Sequence, residues 1–209
     1  MRAVRVLRSG ALALGIRLAL PALAALAAFV APSAHASLSI AISFEDLIRG
    51  SSAAVVVTPD AESVVWEDGR IITYTEVHID DLVAGTVAGQ SAVWIRTRGG
   101  DIGHLGQSVL GEAVLTMGRA TLLFIRLPRS GATEVASRGP YVVTGRAQGQ
   151  FPIVEDGHGG LAFRASTGVD EVVKKVADLH PLARDVLQGR RVADAEATVS
   201  RAWQGLHAP

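Results

Sequence analysis

The most constraining stretch of this chain is residues 64–83, Val-Val-Trp-Glu-Asp-Gly-Arg-Ile-Ile-Thr-Tyr-Thr-Glu-Val-His-Ile-Asp-Asp-Leu-Val. Asp68-Gly69 stands between two runs rich in β-branched and aromatic residues. Asp-Gly tolerates the positive φ angles of a tight turn, so the stretch is predicted to be a β-hairpin. Beyond the turn, Ile71, Thr73, Thr75, Val77 and Ile79 fall on one face and Ile72, Tyr74, Glu76 and His78 on the other. Such alternation describes a strand with one dry and one partly wet side.

Residues 1–36 are set apart from any folding argument. Arg2, Arg5, Arg8 and Arg17 precede the first acid, Glu45, and an apolar run from Leu18 to Ala31 ends at Ala34-His35-Ala36. Basic, apolar and Ala-x-Ala in that order read as a secretory signal peptide cleaved after Ala36. The run falls short of the roughly 20 apolar residues that span a bilayer. A membrane association is therefore expected only through this segment, were it uncleaved. Without its four arginines the remaining 173 residues carry 16 basic and 20 acidic side chains. That mildly acidic balance argues against nucleic acid as a partner, since phosphate backbones are bound by basic stripes. There is no cysteine, which excludes disulfides, thiol catalysis and lipid attachment at a cleaved leader. A periplasmic or secreted bacterial location is expected.

Along the chain, Ser43 with Asp46 three residues on predicts one short helix stopped by Gly50. Residues 53–58 read as a buried strand, Pro59 as a bend or bulge, and residues 80–90 as a connection. Residues 91–98 alternate as a third strand. Residues 99–111, with five glycines, read as a long loop. The apolar run 121–125 predicts a central strand, preceded by a turn at Met117-Gly118-Arg119. Residues 128–139 read as surface loop, 141–144 as a fifth strand, and 150–154 with 160–164 as a hairpin across 156–159. Val169, Val172, Val173 and Val176 have helical spacing, and a second helix is expected from about Arg190 to Trp203. The chain is thus expected to be mainly β: a signal peptide (1–36), a small antiparallel OB-like barrel of five to six strands with a short N-terminal helix (37–165), and a helical tail packing on it (166–209).

The strand ending in residues 77–85, the strand 93–97, the glycine loop, and Gly118 before Leu122-Leu123-Phe124 resemble the core of netrin-like domains, which are secreted OB-type barrels. The same order is similar to that of uncharacterised exported bacterial proteins. The resemblance implies a fold and a secreted binding role. In the inhibitor branch of that family an N-terminal cysteine chelates a protease metal, and with no cysteine here that chemistry does not transfer.

Trp66, Tyr74 and Trp94 are the candidate binding residues, with Trp66 and Tyr74 expected to pair across the hairpin. An aromatic face of this kind suits an extracytoplasmic protein or peptide. The alternative is an extracytoplasmic hydrolase using Asp101, His104 and Ser108 of the glycine loop, although Gly106-Gln107-Ser108-Val109-Leu110-Gly111 misses the nucleophile-elbow spacing by one position. Gly100, Gly103 and Gly106 match a phosphate-loop spacing but lack the helix that a dinucleotide site requires. The histidines show no metal-ligand spacing, and carboxylate neighbours such as Asp80-Asp81 point to opposite faces of an extended chain. No catalytic residue, metal or cofactor is assigned, and a non-enzymatic binding or accessory domain is the leading expectation.

Overall fold

The computed structural model describes residues 39–87, 91–128, 140–168, 172–173 and 180–207, all within the compact unit Ser37–Pro209. The predicted signal peptide, the 128–139 loop beyond Pro128, and Val169 and Val176 of the predicted helix lie outside the described residues.

The fold is mainly β. Its elements are β1 (Ser39–Ile40), α1 (Phe44–Arg49), β2 (Ala53–Glu67), β3 (Arg70–Gly85), β4 (Ala92–Arg98), β5 (Gly100–Ile102), β6 (Leu105–Gln107), β7 (Thr121–Arg126), β8 (Val142–Val143), β9 (Gln150–Glu155), β10 (Leu161–Phe163), β11 (Val172–Val173), α2 (Ala183–Leu187) and α3 (Val192–His207). An antiparallel sheet of seven strands runs β10-β9-β7-β2-β3-β4, with β8 beside β7. Tyr141, just before β8, exchanges backbone hydrogen bonds with β4: its N–H donates to Trp94 O and its carbonyl accepts from Arg96 N–H, both at 2.8 Å.

β2 and β7 are buried on both faces where they pair, residues 53–57 against 121–125. Alternate residues of each strand enter different cores. Ala54, Val56, Leu122 and Phe124 join Phe151, Phe163 and the apolar sides of α1, α2 and α3, including Phe44, Leu47, Leu187 and Val199. Ala53, Val55, Val57, Leu123 and Ile125 join Val77, Val93, Ile95, Tyr141 and Val143. The predicted continuous apolar strands are explained by this double burial.

α1 starts where expected: the Ser43 hydroxyl accepts the Asp46 N–H at 3.0 Å and donates to the Asp46 carboxylate at 2.8 Å. α3 packs Ala195 and Val199 into the helix-side core, and the Ser200 hydroxyl bonds the Val83 carbonyl of β3 at 2.8 Å. A Cβ at Gly85 would lie 2.7 Å from the Trp203 ring and clash with the Ser52 carbonyl, so glycine is what lets α3 approach here.

Four expectations are corrected. Residues 80–85 are not a connection, because β3 runs on to Gly85 and pairs with the start of β2 across two register shifts. The glycine loop contains the β5–β6 hairpin. The fifth strand is shorter than 141–144, with Tyr141 joined to β4 instead. Val172 and Val173 are not helical: they form β11 and pair in parallel with β1. Valine favours strands, and a distant backbone partner prevails over local spacing.

Candidate binding face

The β2–β3 hairpin turns at Asp68 (φ 49°) and Gly69 (φ 74°), the two positive φ angles of a type I′ connection. Glu67 therefore faces Arg70, and the resulting register puts Trp66 opposite Ile71 and Tyr74 opposite Ser63. β4 continues the sheet, with Tyr74 opposite Arg96 and Glu76 opposite Trp94.

This register divides the three candidate aromatics. Residues directly opposite share a face, and faces alternate along a strand. Tyr74, Trp94, Arg96 and Glu67 lie on one side of the sheet, while Trp66 lies on the other with Val64 and Glu62. The expected Trp66–Tyr74 cross-strand pair does not form. The two-residue turn sets Trp66 opposite Ile71; Tyr74 lies three residues beyond Ile71, and an odd number of steps along a strand changes face.

Tyr74 instead completes a polar clamp. Its hydroxyl donates to Glu67 Oε2 at 2.6 Å, and an Arg96 guanidinium nitrogen donates to Glu67 Oε1 at 2.8 Å. The Tyr74 bond and then the Arg96 bond hold the Glu67 carboxyl below its ordinary range, against the opposing effect of desolvation. Burial, followed by the bond to Glu67, pushes the Tyr74 phenol up, so it remains a donor at neutral pH. The clamp ties the last residue of β2 to β3 and β4, immediately beside Trp66. On the opposite face, β5 lies against the hairpin, where a Cβ at Gly100 would meet Val64, Ile71 and Thr73, and the Gln107 amide oxygen accepts the Ile71 N–H at 2.8 Å. Trp66 is held by a rigid base and is 61% exposed.

Asp101, His104 and Ser108 are all exposed. Asp101 pairs with Gly106 in the β5–β6 hairpin, His104 occupies its turn, and Ser108 comes directly after β6. Among the described residues no hydrogen bond joins the three. Asp101 and Ser108 do line one groove of about 410 Å³, together with Arg98 and Glu112.

Glu112 was not singled out from the sequence. It is 9% exposed, and burial pushes its carboxyl up against the opposing charge of Arg146, whose guanidinium is 4.0 Å away. The signal was present: Glu112 is the one charged residue in the otherwise apolar run 109–115. The neighbouring backbone is fixed by the Gln150 amide, which accepts the Val114 N–H at 3.0 Å and donates to the Val114 carbonyl.

Among the described residues, no three His, Asp or Glu side chains gather as a metal site, and no helix is long and apolar enough to cross a membrane. No protein-family model, curated protein or solved structure matches the chain.

Proposed function

We propose that this chain is an exported domain of the periplasm or cell exterior that works by binding, with an OB-like barrel presenting the β2–β3 hairpin to an extracytoplasmic protein or peptide. The barrel reading is supported by the Tyr141 bridge: β7, β2, β3 and β4 are neighbours in order, and Tyr141 with β8 connects β4 back toward β7. A five-stranded, partly open barrel with one parallel contact fits the OB pattern. Export is supported by the basic, apolar and Ala-x-Ala order of residues 1–36.

The observation that carries the binding reading is the exposed Trp66 on a clamped hairpin. An indole held in place before contact buries a large area with little loss of entropy, which is the character of an interface anchor. The test is a pull-down from extracytoplasmic fractions with purified Ser37–Pro209, run beside Trp66→Ala and Trp94→Ala, each checked for folding by circular dichroism. The expected result is one partner retained by the wild type and Trp94→Ala and lost by Trp66→Ala. Equal capture by all three would remove Trp66 from the interface.

A second reading, an extracytoplasmic hydrolase working at the 99–111 segment, is favoured by one feature: the buried carboxyl of Glu112, pushed up by burial, lines one groove with Asp101 and Ser108, a placement suited to a general acid. Ester and peptide hydrolysis abolished by Glu112→Gln in a folded protein would support it.

A further inference from the structure

β2 is 15 residues long, far beyond the typical five or six, yet only its first part is paired on both edges. β7 pairs with residues 53–57. Past Val57, the one backbone hydrogen bond to the outer edge of β2 among the described residues comes from the Gly118 N–H, which bonds the Pro59 carbonyl at 2.9 Å. Among the described residues no strand, helix or loop backbone pairs with residues 60–67 on that side. Six of these eight residues are exposed. Edge strands are usually blunted by lysine, proline or a bulge. Here the last bulge falls between Pro59 and Ala61, and beyond it the run Glu62-Ser63-Val64-Val65-Trp66 is regular, has no lysine, proline or bulge, and carries Glu62 as its one charge.

We infer that residues 60–67 of β2 form an acceptor edge that binds an extended basic peptide by strand addition, the peptide supplying a Lys or Arg opposite Glu62 and apolar residues opposite Val64 and Trp66. The charges select this occupant over a second copy of the chain. Residues 58–69 carry Asp60, Glu62, Glu67 and Asp68 and no base. Two copies paired antiparallel about the Ser63–Val64 midpoint would set Asp60 against Glu67, and in-register parallel pairing would set every acid against itself. Like charges directly opposite destabilise a strand pair. Glu62, Val64 and Trp66 share one face, so the added strand reads apolar-x-apolar-x-basic when antiparallel. Main-chain hydrogen bonds supply affinity, and these alternate side chains supply choice.

This inference rests on the reading of the chain as a binding module and sharpens it. The test uses the full chain and two synthetic peptides, acetyl-Thr-Val-Thr-Val-Thr-Lys-Thr-amide and the same peptide with Glu in place of Lys, followed by amide hydrogen exchange. At a peptide concentration about nine times the dissociation constant, exchange at outward-facing amides of residues 60–67 slows by about tenfold with the Lys peptide. With the Glu peptide it is unchanged. In Glu62→Lys, an exposed substitution that leaves the fold intact, the preference reverses. At high salt the difference between the peptides shrinks, as it must for an exposed pair. No slowing at residues 60–67, equal slowing by both peptides, or a Glu62→Lys variant that keeps the original preference would each overturn the inference. Were the Trp66-dependent capture to succeed while this edge stayed silent, only the strand-addition inference would fall. Were the edge to respond while capture failed, the Trp66 anchor would fall instead.

Discussion

Replacing Phe124 by alanine tests the two-core arrangement most directly. Its ring is fully buried in β7 and meets the Phe151 ring edge-on, centroids 6.2 Å apart at 75°. Loss of a fully buried phenyl group, with the cavity it leaves, costs about 3 to 5 kcal/mol. Of this, about 0.5 to 1.5 kcal/mol belongs to the aromatic pair itself and is separable by a double-mutant cycle with Phe151→Ala. Against a total stability of about 5 to 15 kcal/mol, such a loss is severe. It corresponds to a fall in Tm of roughly 6 to 20 °C for a domain of this size. The assay is equilibrium unfolding in guanidinium chloride, with Val114→Ala as control, since Val114 is 69% exposed and its truncation changes stability by less than about 0.5 kcal/mol. A Phe124→Ala loss below about 1 kcal/mol, or no coupling to Phe151, would refute the placement of β7 between the helix-side and strand-side cores.

Two carboxyls have opposite pH signatures. Glu67 is held below its ordinary value of 4.5, so its contribution is present above that value and lost as pH falls through the folded pKa; Glu67→Gln lowers Tm at pH 7 and loses its effect in acid. Glu112 is pushed above 4.5, so its ionisation works against the fold; Glu112→Gln raises Tm at pH 7 and gives no gain below 4.5, read from melting curves across pH. Gly69→Ala has open space around the new methyl but a φ of +74°, and costs about 1 to 2 kcal/mol. Gly85→Ala costs more, because its methyl also strikes Trp203 and the Ser52 carbonyl; hydrogen exchange in α3 accelerates as the helix is pushed away.

Elements with a strong local cause were legible before the structure. Asp68-Gly69 specifies its own turn, Ser43 with Asp46 caps its own helix, and the apolar run at 121–125 has nowhere to go but a core. Elements decided by distant partners were not. Val172 and Val173 fit a helical spacing, yet β1 is what they meet. Asp80 and Asp81 look like connection, yet β3 runs through both and β2 pairs with Asp81. β5 and β6 are three residues each, too short for an alternation to be seen among glycines. At the candidate site the residue types were visible but their sides were not. Trp66 and Tyr74 are near in sequence, and only the register shows that Tyr74 serves the clamp while Trp66 faces outward. Glu112 was discoverable as a lone acid in an apolar run, but its burial is a tertiary property: two residues on, Val114 is held to Gln150 of β9.

The double burial of β2 also sets an order of events during synthesis. Residues 53–57 contribute to both cores, and their second neighbour, residues 121–125, emerges long after them. A chain halted before Thr121 holds a hairpin whose first strand is bare along its outer edge, residues 53–57 included, and neither core is closed. Folding therefore waits for the second half of the polypeptide, and contacts so far apart in sequence form slowly. During that interval the Val55-Val56-Val57 run, harmless once sandwiched, is open to pairing with another chain. A holdase that binds apolar extended segments would find its natural target there.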